Sequence, residues 1–204
     1  MAKSAKREHL IETAMRLFYT DGFNATGIDR IIAEAGVARM TLYKHFKSKN
    51  ELILAVLRRR DEEFRVWFEN AVESRARRPQ DKLLVMFDAL QEWFDGKAFA
   101  GMVFSGCAFI NACAEFSDPE TPAHQIAAEH KQHLLDYVTR ITRQARASAP
   151  EELARQLMLV TEGAIVTMQV SGDRQAAQRA KQIAAQLIEA HFPATGGPQL
   201  HEPA

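Results

Sequence analysis

From Gly36 to Asn50 the chain carries no acidic residue, yet it offers guanidinium, ammonium, imidazole, hydroxyl, phenol and thioether groups in close succession. If the middle of this stretch is helical, Leu42 and Phe46, four apart, turn inward together with Val37. Arg39, Met40, Thr41, Tyr43, Lys44 and His45 then face outward. An ordinary solvated helix face alternates Glu with Lys; this one does not. Cations and hydroxyls of this kind meet phosphate oxygens, and Arg, Thr and apolar groups meet base edges in a groove. The plain alternative is a surface helix that happens to hold a few basic residues.

The flanking residues are those needed to position such a helix. Thr26 is placed to cap a short helix whose apolar face is Ile28, Ile31, Ile32 and Ala35. Gly36 follows at once as a left-handed stop, and a second helix can begin near Arg39. Two helices joined by so short a turn cross steeply, as in a helix-turn-helix. Ser48 and Glu51 form a capping box that opens a long third element. Lys49 in its first turn opposes the helix dipole, so a phosphate neighbour is the better reason for a cation there.

The run AGVARMTLYKHFKSKNEL resembles the signature of the TetR family of transcriptional regulators. The likeness is carried by Thr26, Ala35-Gly36-Val37, Thr41-Leu42-Tyr43, His45-Phe46, Lys49 and Leu52. One departure is Met40, where a small residue commonly precedes the Thr; it bears on base preference. The resemblance implies a homodimeric repressor on a palindromic double-stranded operator, released by a small-molecule inducer. On this reading Thr26, Tyr43, His45 and Lys49 hold phosphates, while Arg39, Met40, Thr41 and Lys44 face bases.

Net charge is zero over 204 residues, which conceals an asymmetry. Residues 1–60 hold twelve Lys/Arg and six Asp/Glu, and the remainder holds fourteen and twenty. A basic head on an acidic body suits a protein that docks one end on a polyanion. The polar, basic start MAKSAKREHL does not read as a signal peptide, and no apolar run reaches the ~20 residues of a membrane helix. A cytoplasmic protein without membrane partners is therefore expected.

No stretch shows strand alternation, so the chain reads as all-α with about nine helices. A first helix spans residues 4–22, with Lys3, Lys6 and Arg7 either near a phosphate or simply solvated. The long helix from Ser48 runs past Ala71; Arg58-Arg59-Arg60 on it suggests a second DNA patch, but such a run is more often a solvated helix face, which is the preferred reading. Further helices are expected over 80–95, 122–147, from Pro150 to Ser171, and 173–191, with 99–118 less regular. The division is a helix-turn-helix domain over 1–49, a ligand-binding and dimerisation domain over 50–192, and a mobile tail over 193–204. The last two helices have small-residue faces that allow close approach; two copies of the pair can form a dimer interface, as the resemblance implies.

Candidates for lining a mostly apolar effector pocket are Trp67, Phe68, Met86, Phe87, Phe94, Phe104, Phe109 and Met168, with Asn111 and Glu115 as polar groups. Each of these aromatics also fits a packed core. His124, His130 and His133 with Cys107 and Cys113 raise zinc, but no tight ligand spacing supports it, so no metal and no cofactor is expected. Cys107 and Cys113 lie in apolar context and read as inert thiols rather than a redox pair. A Cys113–His133 nucleophile lacks an orienting group and no phosphate-binding glycine loop occurs, so no enzyme is expected. The rival classes are a helical protein-binding module and a thiol- or metal-responsive sensor.

Overall fold

The computed structural model describes residues 2–192, with side chains from residue 5 onward. The expected mobile tail over 193–204 and the side chain of Lys3 lie outside the described residues. Among the described residues there are nine α-helices and no strand. They are α1 (Ala2–Asp21), α2 (Ile28–Ala35), α3 (Arg39–His45), α4 (Lys49–Glu73), α5 (Pro79–Phe94), α6 (Ala108–Glu115), α7 (Pro122–Gln144), α8 (Pro150–Ser171) and α9 (Ala176–His191). None of these is long and apolar enough to cross a membrane. Helix α6 falls in the stretch read as irregular, because eight residues are too few for its periodicity to stand out.

The chain divides into two compact units, residues 1–69 with 95–134, and 70–94 with 135–204. This division differs from the expected boundary after residue 49. The reason lies in two polar ties inside the first unit. Tyr19 of α1 donates to the Gly106 carbonyl at 2.8 Å and accepts from the Ser105 amide at 3.1 Å. The Glu115 carboxylate of α6 accepts from the amides of Phe23 and Asn24, at 2.8 and 2.6 Å, just after α1 ends. Pairings across roughly ninety residues leave no local trace in sequence.

In the first unit, Leu10, Ala14, Leu17 and Phe18 of α1, Ile31 and Ala35 of α2, and Leu42 and Phe46 in and after α3 are all buried. They are joined by Leu52, Ile53, Val56 and Leu57 on the opening turns of α4. Burying side chains of this size contributes about 1.5–3 kcal/mol each, which is how a head of short helices stays folded. Two polar ties fix α2 against α1: His9 to the Ala35 carbonyl at 3.0 Å, and Arg30 to Asp21 at 2.8 Å.

The second unit is built on α5, α8 and α9 with the end of α4 and the latter part of α7. Leu83, Phe87 and Leu90 of α5, Leu153, Leu157, Ala164 and Ile165 of α8, and Ala177, Ala180 and Ala184 of α9 are buried. The alanine stripe of α9 lets α5 and α8 approach closely. Lys181 grips both oxygens of Asp88 at 2.7 Å, holding α9 to α5.

Candidate nucleic-acid interface

Helix α2 ends at Gly36, whose φ of 62° and ψ of 33° place it in the left-handed region. A side chain there would meet no neighbouring atom within 4 Å, so conformation rather than space demands glycine. Its amide and that of Val37 close the helix on the Ala33 and Ile32 carbonyls. Residues 36–38 are the whole connection, and α3 starts at Arg39 as expected. Leu42 is fully buried and Phe46 is 1% exposed, which fixes the rotation of α3 about its axis. That rotation turns Met40 out at 79% exposure and Tyr43 at 41%, with Arg39 and Lys44 exposed beside them. Thr41 and His45 are half-buried at the edges of the face. Of the outward set inferred from spacing, Arg39, Met40, Tyr43 and Lys44 are exposed, and Thr41 and His45 are partly covered.

Arg39 is held from two sides. Its guanidinium meets Asp29 of α2 at 2.5 Å and lies 5.8 Å from the centre of the Tyr43 ring. Both the arginine and Asp29 remain largely in water, so the pair orients the side chain more than it stabilises the fold. Lys49 donates to the Asn24 carbonyl at 3.1 Å, which offsets its poor placement in the first turn of α4. One half of the capping box forms, the Glu51 amide donating to Ser48 Oγ at 3.2 Å, while the Glu51 carboxylate accepts from the amide of Lys47, one residue before the cap, at 2.6 Å. Sequence reasoning missed Asp29 and Asn24 as partners, since each is set by the helix crossing and not by local spacing.

Thr26 requires a correction. It is fully buried, and its hydroxyl donates to the Gly22 carbonyl at 2.7 Å and more weakly to Leu17 at 3.4 Å. It closes the end of α1, while the cap position of α2 is Gly27 without a side-chain bond. A hydroxyl in that place has its donor spent and no route to a phosphate, so Thr26 is set aside as a contact. The Arg58-Arg59-Arg60 reading also changes. Arg58 is exposed, Arg59 bonds Glu63 at 2.6 Å and Glu8 at 3.1 Å, and Arg60 is buried at 2% exposure.

The effector candidates divide between the units. Met86, Phe87, Phe94 and Met168 belong to the second, where the first three are buried core. Trp67 and Phe68 pack around Phe64 in the first, with ring centroids 5.4 and 5.9 Å away, and Phe99 joins them at 5.2 Å from Trp67. Phe109 stacks on His130 at 3.7 Å. Phe104 is half-buried. Asn111 donates to the Ser105 carbonyl at 3.2 Å, and Glu115 is the brace described above. Neither polar group is placed as an unengaged pocket residue.

His130 donates from Nδ1 to Asp61 at 2.8 Å, and Arg65 meets the same carboxylate at 3.0 Å. Burial pushes the imidazole down to about 4, against the pull of Asp61 in the other direction. Burial also pushes Asp61 up, but the bonds from His130 and Arg65 outweigh it and hold the carboxyl at about 2. The pair is thus a neutral imidazole donating to a carboxylate. His124 faces the Phe116 carbonyl at 2.9 Å instead. Among the described residues no three His, Cys, Asp or Glu side chains converge as metal ligands, and both cysteines are free thiols.

Residues 10–56 match the family model for bacterial regulatory proteins of the tetR family, and residues 79–184 match the tetracyclin repressor-like C-terminal domain. The chain belongs to the TetR family. It is similar to the TetR-family regulator SCO4454 of Streptomyces coelicolor, at 30% identity and a TM-score of 0.81, over 92% of this chain and 96% of that one. It is also similar to the HTH-type transcriptional regulator YjdC of Escherichia coli K12, at 24% identity, covering 90% of this chain and 93% of the relative. The HTH-type transcriptional repressor ComR of the same organism is 28% identical over 71% of this chain and 68% of its own. This TetR-family chain is a DNA-binding transcriptional regulator and not an enzyme.

Proposed function

We propose that the chain acts as a homodimeric repressor on a palindromic operator and leaves it when a small molecule binds. The single observation that carries the DNA-reading part is the acid-free outer face of α3. Arg39, Met40, Thr41 and Lys44 are assigned to base edges; Tyr43, His45 and Lys49 are assigned to phosphates. The repressor sense is supported by the likeness to ComR over most of the chain.

Dimerisation is supported by the outer surfaces of α8 and α9. Leu159 and Val170 on α8 are 75% and 79% exposed, and Ile183 on α9 is 50% exposed. Ile183 lines a groove with Gly163, Ala164 and Ala180, and Leu159 and Val170 stand on the same helix as Gly163. Apolar side chains of this size left in water around a small-residue groove are what a second copy of the same helix pair would cover. Two copies would read half-sites about one turn, ~34–36 Å, apart.

Anisotropy titration of genomic or selected duplexes at several salt concentrations tests the reading. Affinity should fall steeply with salt, by about 0.9 in log–log slope for each phosphate contact. A chain that stays monomeric and ignores every duplex in dilute buffer would sink the proposal.

A further inference from the structure

Arg60 is the least expected residue in the molecule. It sits on α4 at 2% exposure, yet it forms no hydrogen bond or ion pair with the described residues, and its Nη1 is buried without any partner. Aromatic rings surround it instead. Its guanidinium carbon is 3.8 Å from the centre of Phe99, 5.6 Å from Tyr19 and 5.8 Å from Phe64. Glu63, the acid of its own helix whose charge acts on Arg60, is engaged by Arg59 at 2.6 Å. Burial pushes the guanidinium down, but arginine does not deprotonate in proteins and remains a cation with five donors.

This arrangement is costly. Ring contacts return only part of what is lost when a buried charge has no partner. A purely structural position would be better filled by Met or Leu. Arg60 also lines a small cavity of about 10 Å³ together with Met15, Phe18, Met102 and Asn111. That volume takes one water-sized sphere, so anything larger must displace the roof. The roof is a single irregular segment between α5 and α6, in which Phe99 and Met102 are half-buried and Val103 is 79% exposed. Its backbone is not part of a helix.

We infer that Arg60 is the anchor of an effector site in the first unit, and that the effector is an apolar monocarboxylate. The inference rests on the reading of the chain as ligand-responsive and names the ligand class. A carboxylate gives the guanidinium two parallel charge-assisted bonds in a low-dielectric setting. Its hydrocarbon part takes the place of Met102 against Met15 and Phe18. A cationic ligand is repelled, and a neutral one offers an uncharged acceptor at most, leaving the charge uncompensated.

Calorimetric titration of the full-length chain with benzoate, octanoate and the uncharged control benzamide tests this without DNA. Either carboxylate should bind at least tenfold more tightly than benzamide, and Arg60→Met should abolish that preference. The ligand-free Arg60→Met protein should melt at or above the wild-type temperature, because a charge without a partner has been removed. Arg60→Lys should retain weaker carboxylate binding. Absence of carboxylate binding, equal binding by wild type and Arg60→Met, or a lowered melting temperature for Arg60→Met overturns the inference. Operator affinity, measured in parallel, separates the cases: a chain that holds DNA but no carboxylate loses only the ligand assignment.

Discussion

Arg39 and Lys49 carry the same charge but are held by different partners, and that difference sets what their removal does. Lys49 donates to the Asn24 backbone carbonyl and is the cation proposed to meet the sugar–phosphate chain. Lys49→Ala should weaken every duplex alike and flatten the salt slope by about one unit. Arg39 is on the exposed face of α3, steadied by Asp29 and Tyr43. Arg39→Ala should relax preference at one base pair by ~1–3 kcal/mol. Anisotropy on the operator and its point variants separates the two; equal losses on all duplexes for both proteins would contradict the roles. Thr26 gives the converse case. Its hydroxyl bonds backbone carbonyls at the end of α1, so Thr26→Val should cost about 1–3 kcal/mol of stability. That loss reads in the melting temperature, while Lys49→Ala leaves the melting temperature unchanged.

At the level of elements, helix existence was legible and helix surroundings were not. Helices α1, α5, α8 and α9 form where apolar residues repeat at helical spacing, and most of those residues are buried, Ile183 of α9 being 50% exposed. Gly36 and the Ser48–Glu51 box announced two boundaries because caps act through residues three or four apart. Helix α6 was hidden by its brevity, and its Glu115 was read as a pocket residue because its amide partners are far away in sequence. The groove of α8 and α9 tests the dimer directly. Val170→Glu places a charge on an apolar residue that is 79% exposed, so the isolated chain should fold as before. The dimer should dissociate at concentrations where wild type stays paired, and operator affinity should fall with it. Sedimentation and anisotropy measure both; an unchanged assembly would remove α8 from the interface.

For the molecule as a whole, charge governs both docking and response to pH. The basic first sixty residues favour approach to a polyanion through that part of the chain. Stability should depend on pH through His130. Its folded value, about 4, lies below the ordinary 6.5, so the unfolded chain binds a proton that the folded chain refuses. The stabilisation is therefore complete above pH 6.5 and is lost as pH falls from there toward 4. A gap of this size is worth roughly 3 kcal/mol. Asp61, held at about 2 against 3.8, adds a further loss only below pH 4. Melting temperatures across pH 4–8 should show the decline, and His130→Asn should flatten the part between 6.5 and 4. A variant with the same slope as wild type would place the titration elsewhere.

The sequence by itself determined the all-helical class, the rotation of α3 and the outward chemistry of its face. These follow from interactions within a turn or two, where spacing is geometry. Only the tertiary structure decided that Thr26 faces inward, that Asp29 steadies Arg39, and that three consecutive arginines have three different environments. Arg58, Arg59 and Arg60 are alike in sequence; each step of a helix turns the next by about 100°. What each then meets depends on segments forty to fifty residues away, whose arrival no local pattern records.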